Sequence, residues 1–201
     1  MRRAAVVTVR STIALIRTTT IQRSFIMSPV TQGSVGSLKE LLIEQLNDLY
    51  AAEKHMETVL PKLADAAAAP RLSECIRGHL VETKEHTARL ERVFGELGAK
   101  PKQVESRASR GELEDCEMLL CRGHMEPRVR DAAIVATAQR LEHGEMAGYG
   151  CARAWASLLG YANASAELLT TLAEERRHDA ELSRIGESLN KAALDPMMST
   201  R

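Results

Sequence analysis

Residues 168–182 read LLTTLAEERRHDAEL. Leu168, Leu172 and Leu182 recur at the three- and four-residue spacing of a helix face, and Glu175 falls on the same face, followed by His178 or Asp179. An acid and an imidazole, or two acids, on the apolar stripe of a helix need a reason. Charged groups are rarely fully buried unless they are paired or bind a metal. The partners should therefore lie on other helices.

Three further helical patterns supply them. Ser37-Leu38-Lys39-Glu40 has the form of a capping box. From it a helix runs to about Ala68, with the stripe Leu38, Leu42, Leu46, Leu49, Met56, Leu60, Leu63, Ala67, and Glu53 falls on that stripe. Pro70 suits the first turn of a second helix, whose stripe is Leu72, Ile76, His79, Glu82, His86, Leu90, Val93, Leu97, stopped by Gly98 and Pro101. Pro127 opens a third, with Ile134, Ala138, Glu142, Glu145, Tyr149, Ala152 and Trp155 in line and Gly160 as its end. Asn163 or Ser165 is expected to cap the fourth, which Asp195-Pro196 closes. Residues 99–127 are polar and irregular, apart from a short apolar helical piece around Leu113 to Leu120. So long a connection predicts a crossover between the second and third long helices, not a tight turn. Helices of ~30 residues span ~45 Å. The expected fold class is all-α: a ferritin-like four-helix bundle over 37–195.

Bulk composition agrees. Aromatics make up only 3% of the chain against 44% hydrophobic residues, so the core must be aliphatic, which suits helix packing. Lys+Arg and Asp+Glu are equal at 27 each, which gives no reason to expect a nucleic-acid partner. No apolar run reaches membrane-spanning length. Cys75, Cys116, Cys121 and Cys151 are too few and scattered for a disulfide framework. Cys116 and Cys121 with His124 do not have standard zinc spacing, so structural or incidental thiols are expected.

The four stripes together point to a carboxylate-bridged di-metal site. Carboxylates are hard, anionic and able to bridge two cations, and imidazole is a neutral ligand suited to iron. Such bundles take one Glu from each of two helices and Glu-x-x-His from the other two. Glu53 is a single Glu with no buried basic partner on its own stripe. Glu82 and His86 are four apart, while Glu85 offers a three-residue alternative to His86. His79, one turn earlier, reads as a core or supporting histidine. Glu142 and Glu145 supply two acids from one helix. Glu175 with His178 matches the di-iron element, Asp179 is the alternative four residues on, and Glu174 is expected to face outward or to support a ligand from behind. The candidate metal ligands are therefore Glu53, Glu82, His86, Glu142, Glu145, Glu175, His178 and Asp179, around two iron ions or another divalent metal.

The runs SLKELLIEQLNDLYAAEKHMETVLPKLADAA (37–67), HLVETKEHTARLERVFGELGAKP (79–101), VRDAAIVATAQRLEHGEMAGYG (129–150) and LLTTLAEERRHDAEL (168–182) resemble the bacterial YciE/YciF family of ferritin-like stress proteins. The resemblance covers about residues 37–190. It implies a rubrerythrin-like bundle with a di-iron centre, a homodimer and a ferroxidase role. The third helix also resembles rubrerythrin, where two Glu three apart serve the metals. The second helix departs from a strict Glu-x-x-His, and Asp is frequent in the family where Asp179 stands. The Cys-x-x-Cys pairs of rubrerythrin are absent, so this chain carries no electron-transfer module of that kind.

The expected function is thus a non-haem di-iron oxidoreductase of ferroxidase or peroxidase type, in a stress response. It would use O2 or H2O2 and Fe(II) and draw on an external electron donor. The alternative is a structural or stress-binding bundle whose site is empty or holds zinc; iron storage would need a shell-forming oligomer. Residues 1–36 hold Arg2, Arg3, Arg10, Arg17 and Arg23 and no acid. That composition fits a disordered leader, either a mitochondrial presequence or an over-extended start ahead of Met27. The compartment expected is the mitochondrial matrix in the first case and the cytoplasm of a bacterium in the second.

Overall fold

A computed structural model describes residues 35–194 except 103, 105 and 106, with only the backbone of 107–109. The sequence expectations for the leader and for Asp195-Pro196 therefore fall largely outside the described residues. The described elements are five helices: α1 (Leu38–Ala66), α2 (Pro70–Glu96), α3 (Arg107–Cys121), α4 (Pro127–Leu158) and α5 (Ala162–Ala193). α1 packs on α2 and α4 on α5; these two hairpins join through α2 against α5 and α1 against α4. α3 belongs to the crossover and lies against α1 and α4.

Local chemistry sets the boundaries. Ser37 Oγ accepts from Glu40 N at 3.2 Å, and Glu40 Oε2 accepts from Gly36 N at 2.7 Å, so the box closes one residue early. Pro70 and Pro127 occupy first turns, where the missing N–H has no helical partner to lose. Gly98 (φ 68°) and Gly160 (φ 81°) turn the chain out of α2 and α4 in the left-handed region that glycine adopts without strain. Buried Asp131 accepts from Ala68 N and Ala69 N at 2.7 and 2.9 Å, holding the α1–α2 turn.

Two expectations are corrected. α5 starts at Ala162, after Tyr161, with no side-chain cap from Asn163 or Ser165. Tyr161 N donates to Ala156 O at 2.9 Å, so the chain leaves α4 already positioned to re-enter a helix. α3 is 15 residues long, well beyond the Leu113–Leu120 piece. Leu113 and Cys116 bury themselves against α1 and α4, and this packing sustains a helix whose first half has no apolar stripe.

The core falls into two apolar clusters. One gathers Met56, Leu60, Leu63, Leu72, Ile76, Ile134, Leu182 and Ile185. The other gathers Leu42, Leu46, Leu49, Leu90, Phe94, Tyr149, Leu168 and Leu172. Along every long helix, the candidate site residues lie between these two sets.

Candidate metal centre

Each long helix turns an ionisable group into the gap between the clusters. α1 contributes Glu53, α2 His79 and His86, α4 Glu142 and Glu145, and α5 Glu175 and His178; all seven are buried. Glu175 stands at the centre. Its Oε1 lies 2.8 Å from His86 Nδ1, and its Oε2 lies 3.8 Å from His79 Nε2. His86 Nδ1 is also 3.3 Å from Glu53 Oε1. On the other side, Glu142 Oε1 lies 3.2 Å from His79 Nε2 and 2.9 Å from His178 Nδ1. The His79 and His178 rings stack at 3.9 Å with 5° between their planes. Three overlapping donor groups result: Glu53, His86 and Glu175; His79, Glu142, Glu145 and Glu175; and His79, Glu142 and His178. Glu175 is common to the first two, and the last two share His79 and Glu142, so the groups form two sets that meet at Glu175.

Most of the donor atoms sit close together without hydrogen-bonding geometry. Among the described residues, the buried side-chain polar atoms lacking a hydrogen bond all belong to these seven residues, Thr83 Oγ1 excepted. Buried polar atoms are nearly always satisfied, so such a concentration calls for a ligand. Carboxylate and imidazole in this proportion could hold divalent cations, which would supply the missing partners to both sets at once.

The electrostatics carry the cost of that arrangement. Burial, with Glu175 and His86 acting in opposite senses, raises Glu53 to about 7. Burial and then neighbouring acids push Glu142 and Glu145 well above the usual carboxylate range. Burial also lowers His79. His86 resists its burial because Glu175 and Glu53 face it, and rises to about 10. Glu175 is pressed upward by burial, but His86 and His79 outweigh this and hold it at about 2. Around this layer, Tyr149 donates to Glu53 Oε1 at 2.6 Å. Glu174 is 3.0 Å from His86 Nε2 and is clamped by Arg89.

Glu53, His86, Glu142, Glu145, Glu175 and His178 are thus brought together, while Glu82 and Asp179 are not. The Glu82 side chain is 31% exposed and paired with Arg177; it comes no nearer to the cluster than 3.9 Å from His79 Nδ1. Asp179 turns to Gln139 (3.2 Å) and His143 (3.4 Å). Glu85 is outside, on Arg92 at 3.1 Å. His79, expected to play a supporting part, lies inside the cluster. The signal that finds it is strict alternation of four and three. In α2 the buried series runs 72, 76, 79, 83, 86, 90, so Thr83 and not Glu82 continues the line through His79. In α5 it runs 164, 168, 171, 175, 178, 182, which selects His178 over Asp179. Cys116 is buried in the apolar core while Cys121 and His124 are exposed, and they do not assemble with the metal-type donors.

A family model described as "Domain of unknown function (DUF892)" matches residues 37–195. The chain belongs to this family. YciF of Escherichia coli K12 is 35% identical over 159 residues, which make up 78% of this chain and 95% of YciF. The crystal structure of that stress protein matches with a TM-score of 0.75 at 32% identity, covering 78% of this chain and 99% of its own. YcfI from Rhodopseudomonas palustris matches with a TM-score of 0.70 at 37% identity, covering 75% and 95%. A ferritin-like, diiron-carboxylate protein of Bacillus anthracis shares the fold, with a TM-score of 0.59 at 18% identity over 76% of this chain and 99% of its own. The DUF892 chain is therefore a ferritin-like four-helix bundle with a long crossover.

Proposed function

We propose that this chain is a non-haem di-iron oxidoreductase of ferroxidase or peroxidase type that acts in a stress response. The observation carrying the proposal is that Glu175 faces two donor sets with its two oxygens. Glu53, His86 and Glu175 would hold one ion, and His79, Glu142, Glu145 and Glu175 the second, with His178 beside Glu142. When bound, the iron pair would supply the redox equivalents for reaction with O2 or H2O2, replenished by Fe(II) or an external donor. Tyr149 fixes the orientation of Glu53, and the apolar clusters close the layer off toward both ends of the bundle. The description of YciF as a stress protein supports the cellular setting. The homodimer is part of the proposal through the family resemblance alone, and sedimentation velocity tests it.

The deciding experiment is anaerobic Fe(II) loading with metal analysis, followed by addition of peroxide. About two irons per chain and peroxide-dependent oxidation are expected, and Glu175→Ala should lose both ions. Equal iron content in wild type, Glu53→Ala and Glu175→Ala would sink the reading. The second reading is a structural bundle with an empty or zinc-filled site. It is favoured by His86, whose raised pKa lets an imidazolium neutralise Glu53 and Glu175 with no metal at all. YcfI, described as a candidate structural protein, points the same way. Protein that binds no iron, or holds zinc and leaves Fe(II) untouched, would establish it.

A further inference from the structure

Two openings reach the buried layer from opposite sides, and their charges differ. Between α2 and α5, a groove touching His79 and His178 is rimmed by Glu82, Glu181, Arg177 and Arg184. Its lining is of mixed charge: Glu74 stands beside Glu82, which pairs with Arg177, and Glu181, which pairs with Arg71 and Arg184. Between α1, α3 and α4 lies a cavity of about 100 Å³, lined among others by Gln45, Asp48, Ala52, Glu112, Gly144 and Glu145. That is room for a few waters, enough for a partly hydrated ion.

We propose that this second cavity is the route by which divalent cations reach the buried cluster, with Asp48 and Glu112 capturing the ion and Glu145 passing it inward. The inference rests on the metal reading above. Glu145 joins the two spaces: it belongs to a donor set, it lines the cavity, and it is 5% exposed with both oxygens lacking a hydrogen bond. Glu112 comes from α3, the crossover helix, and its carboxylate lies over α4 at Gly144. A Cβ at Gly144 would stand 3.0 Å from Glu112 Oε2 and crowd the passage. Asp48 and Asp115 are near enough to push the half-buried Glu112 carboxyl upward, after burial itself, while Arg140 pulls it down. Arg140 is shared, because it also reaches Asp115 at 3.5 Å and Thr137 at 3.3 Å. Paired acids at a mouth, followed by a buried acid, let a cation exchange water for carboxylate oxygen in steps. Focused charge of this kind raises association rates by about 10- to 1,000-fold.

The test is stopped-flow uptake of Co(II) by the full, metal-stripped chain, followed through ligand-field absorption. The final Co(II) content is read separately by metal analysis. The isosteric double variant Asp48→Asn, Glu112→Gln should load to the same content about tenfold more slowly at low ionic strength, with the difference shrinking in high salt. Gly144→Val should also slow loading; if it does not fold, the double variant carries the test. Glu181→Gln, at the opposite opening, should load like wild type. Equal rates for wild type and the double variant at full content would overturn the route while leaving the metal centre standing. So would slowing of Glu181→Gln to the same extent as the double variant. Wild-type protein that takes up no Co(II) would overturn the centre and the route together.

Discussion

The two apolar ends of the bundle and the polar layer between them are built on the same helices with the same periodicity, yet they obey opposite energetics. At the ends, Leu42, Leu46, Leu60, Leu63, Leu72 and Leu90 are almost wholly removed from water, and each such burial favours folding by about 1.5–3 kcal/mol. In the middle, the same degree of burial is applied to Glu53, Glu142, Glu145 and Glu175, where loss of hydration opposes folding. The ends stabilise the fold, and the middle is tolerable because the ends surround it. A bundle keeps so costly a layer when the layer has work to do.

The largest expected effect separates the two regions by pH. Glu53 titrates at about 7 in the folded chain against an ordinary 4.5, so between those values the folded state holds a proton that the unfolded chain has released. His86 does the same between 6.5 and about 10. Both pKa values are raised, so their stabilisation is present at low pH and lost as pH rises. Glu175, held at about 2, acts in the opposite sense, and its contribution disappears only as pH falls below 4.5. Metal-stripped protein should therefore melt highest near pH 5 and lose stability toward pH 9, on the order of 3 kcal/mol from Glu53 alone. Metal loading displaces those protons and should flatten or reverse the slope, as calorimetry across pH would show. A flat profile for the stripped protein would mean that the middle layer costs nothing.

Substitution probes the same contrast at single residues. Leu63→Ala, in an apolar end, should lose about 3 kcal/mol in urea titration of the metal-stripped chain, through lost transfer energy and a residual cavity. Glu145→Gln, in the middle, should leave the stripped chain no less stable and raise its stability at neutral pH, because it removes a carboxyl that burial pushes well above its ordinary range. If Glu145→Gln proved as damaging as Leu63→Ala, the layer would be contributing stability of its own. A substitution at a turn sharpens the picture. Asp131→Ala frees the N–H groups of Ala68 and Ala69 and should cost about 1–2 kcal/mol in either metal state. A cost that depended on metal would show that the α1–α2 turn reports on the distant layer.

Much of this molecule could be read from the chain alone. Apolar spacing with Pro70, Pro127, Gly98 and Gly160 marks out four long helices, because helix periodicity and its terminators are local properties of sequence. Glu53, Glu142, Glu145 and Glu175 stand out for the same reason: an acid on an apolar stripe is visible without a fold. A stripe is about 100° wide, however, and residues three and four apart both lie within it. That ambiguity left His86 against Glu85 and His178 against Asp179 open, placed Glu82 on the interior face and left His79 in a supporting part. Packing resolved it, since each neighbour with a partner outside was drawn outward: Glu82 to Arg177, Asp179 to Gln139 and His143, and Glu85 to Arg92. Those pairings join different helices or different turns, and no periodicity encodes them. The crossover shows the same limit. Leu113 and Cys116 make α3 a helix by burying themselves on α1 and α4, and that docking brings Glu112 over Gly144. Local sequence determined which elements form; which of their faces meet, and so which acids converge, was decided by tertiary burial, because desolvation depends on all the neighbours at once.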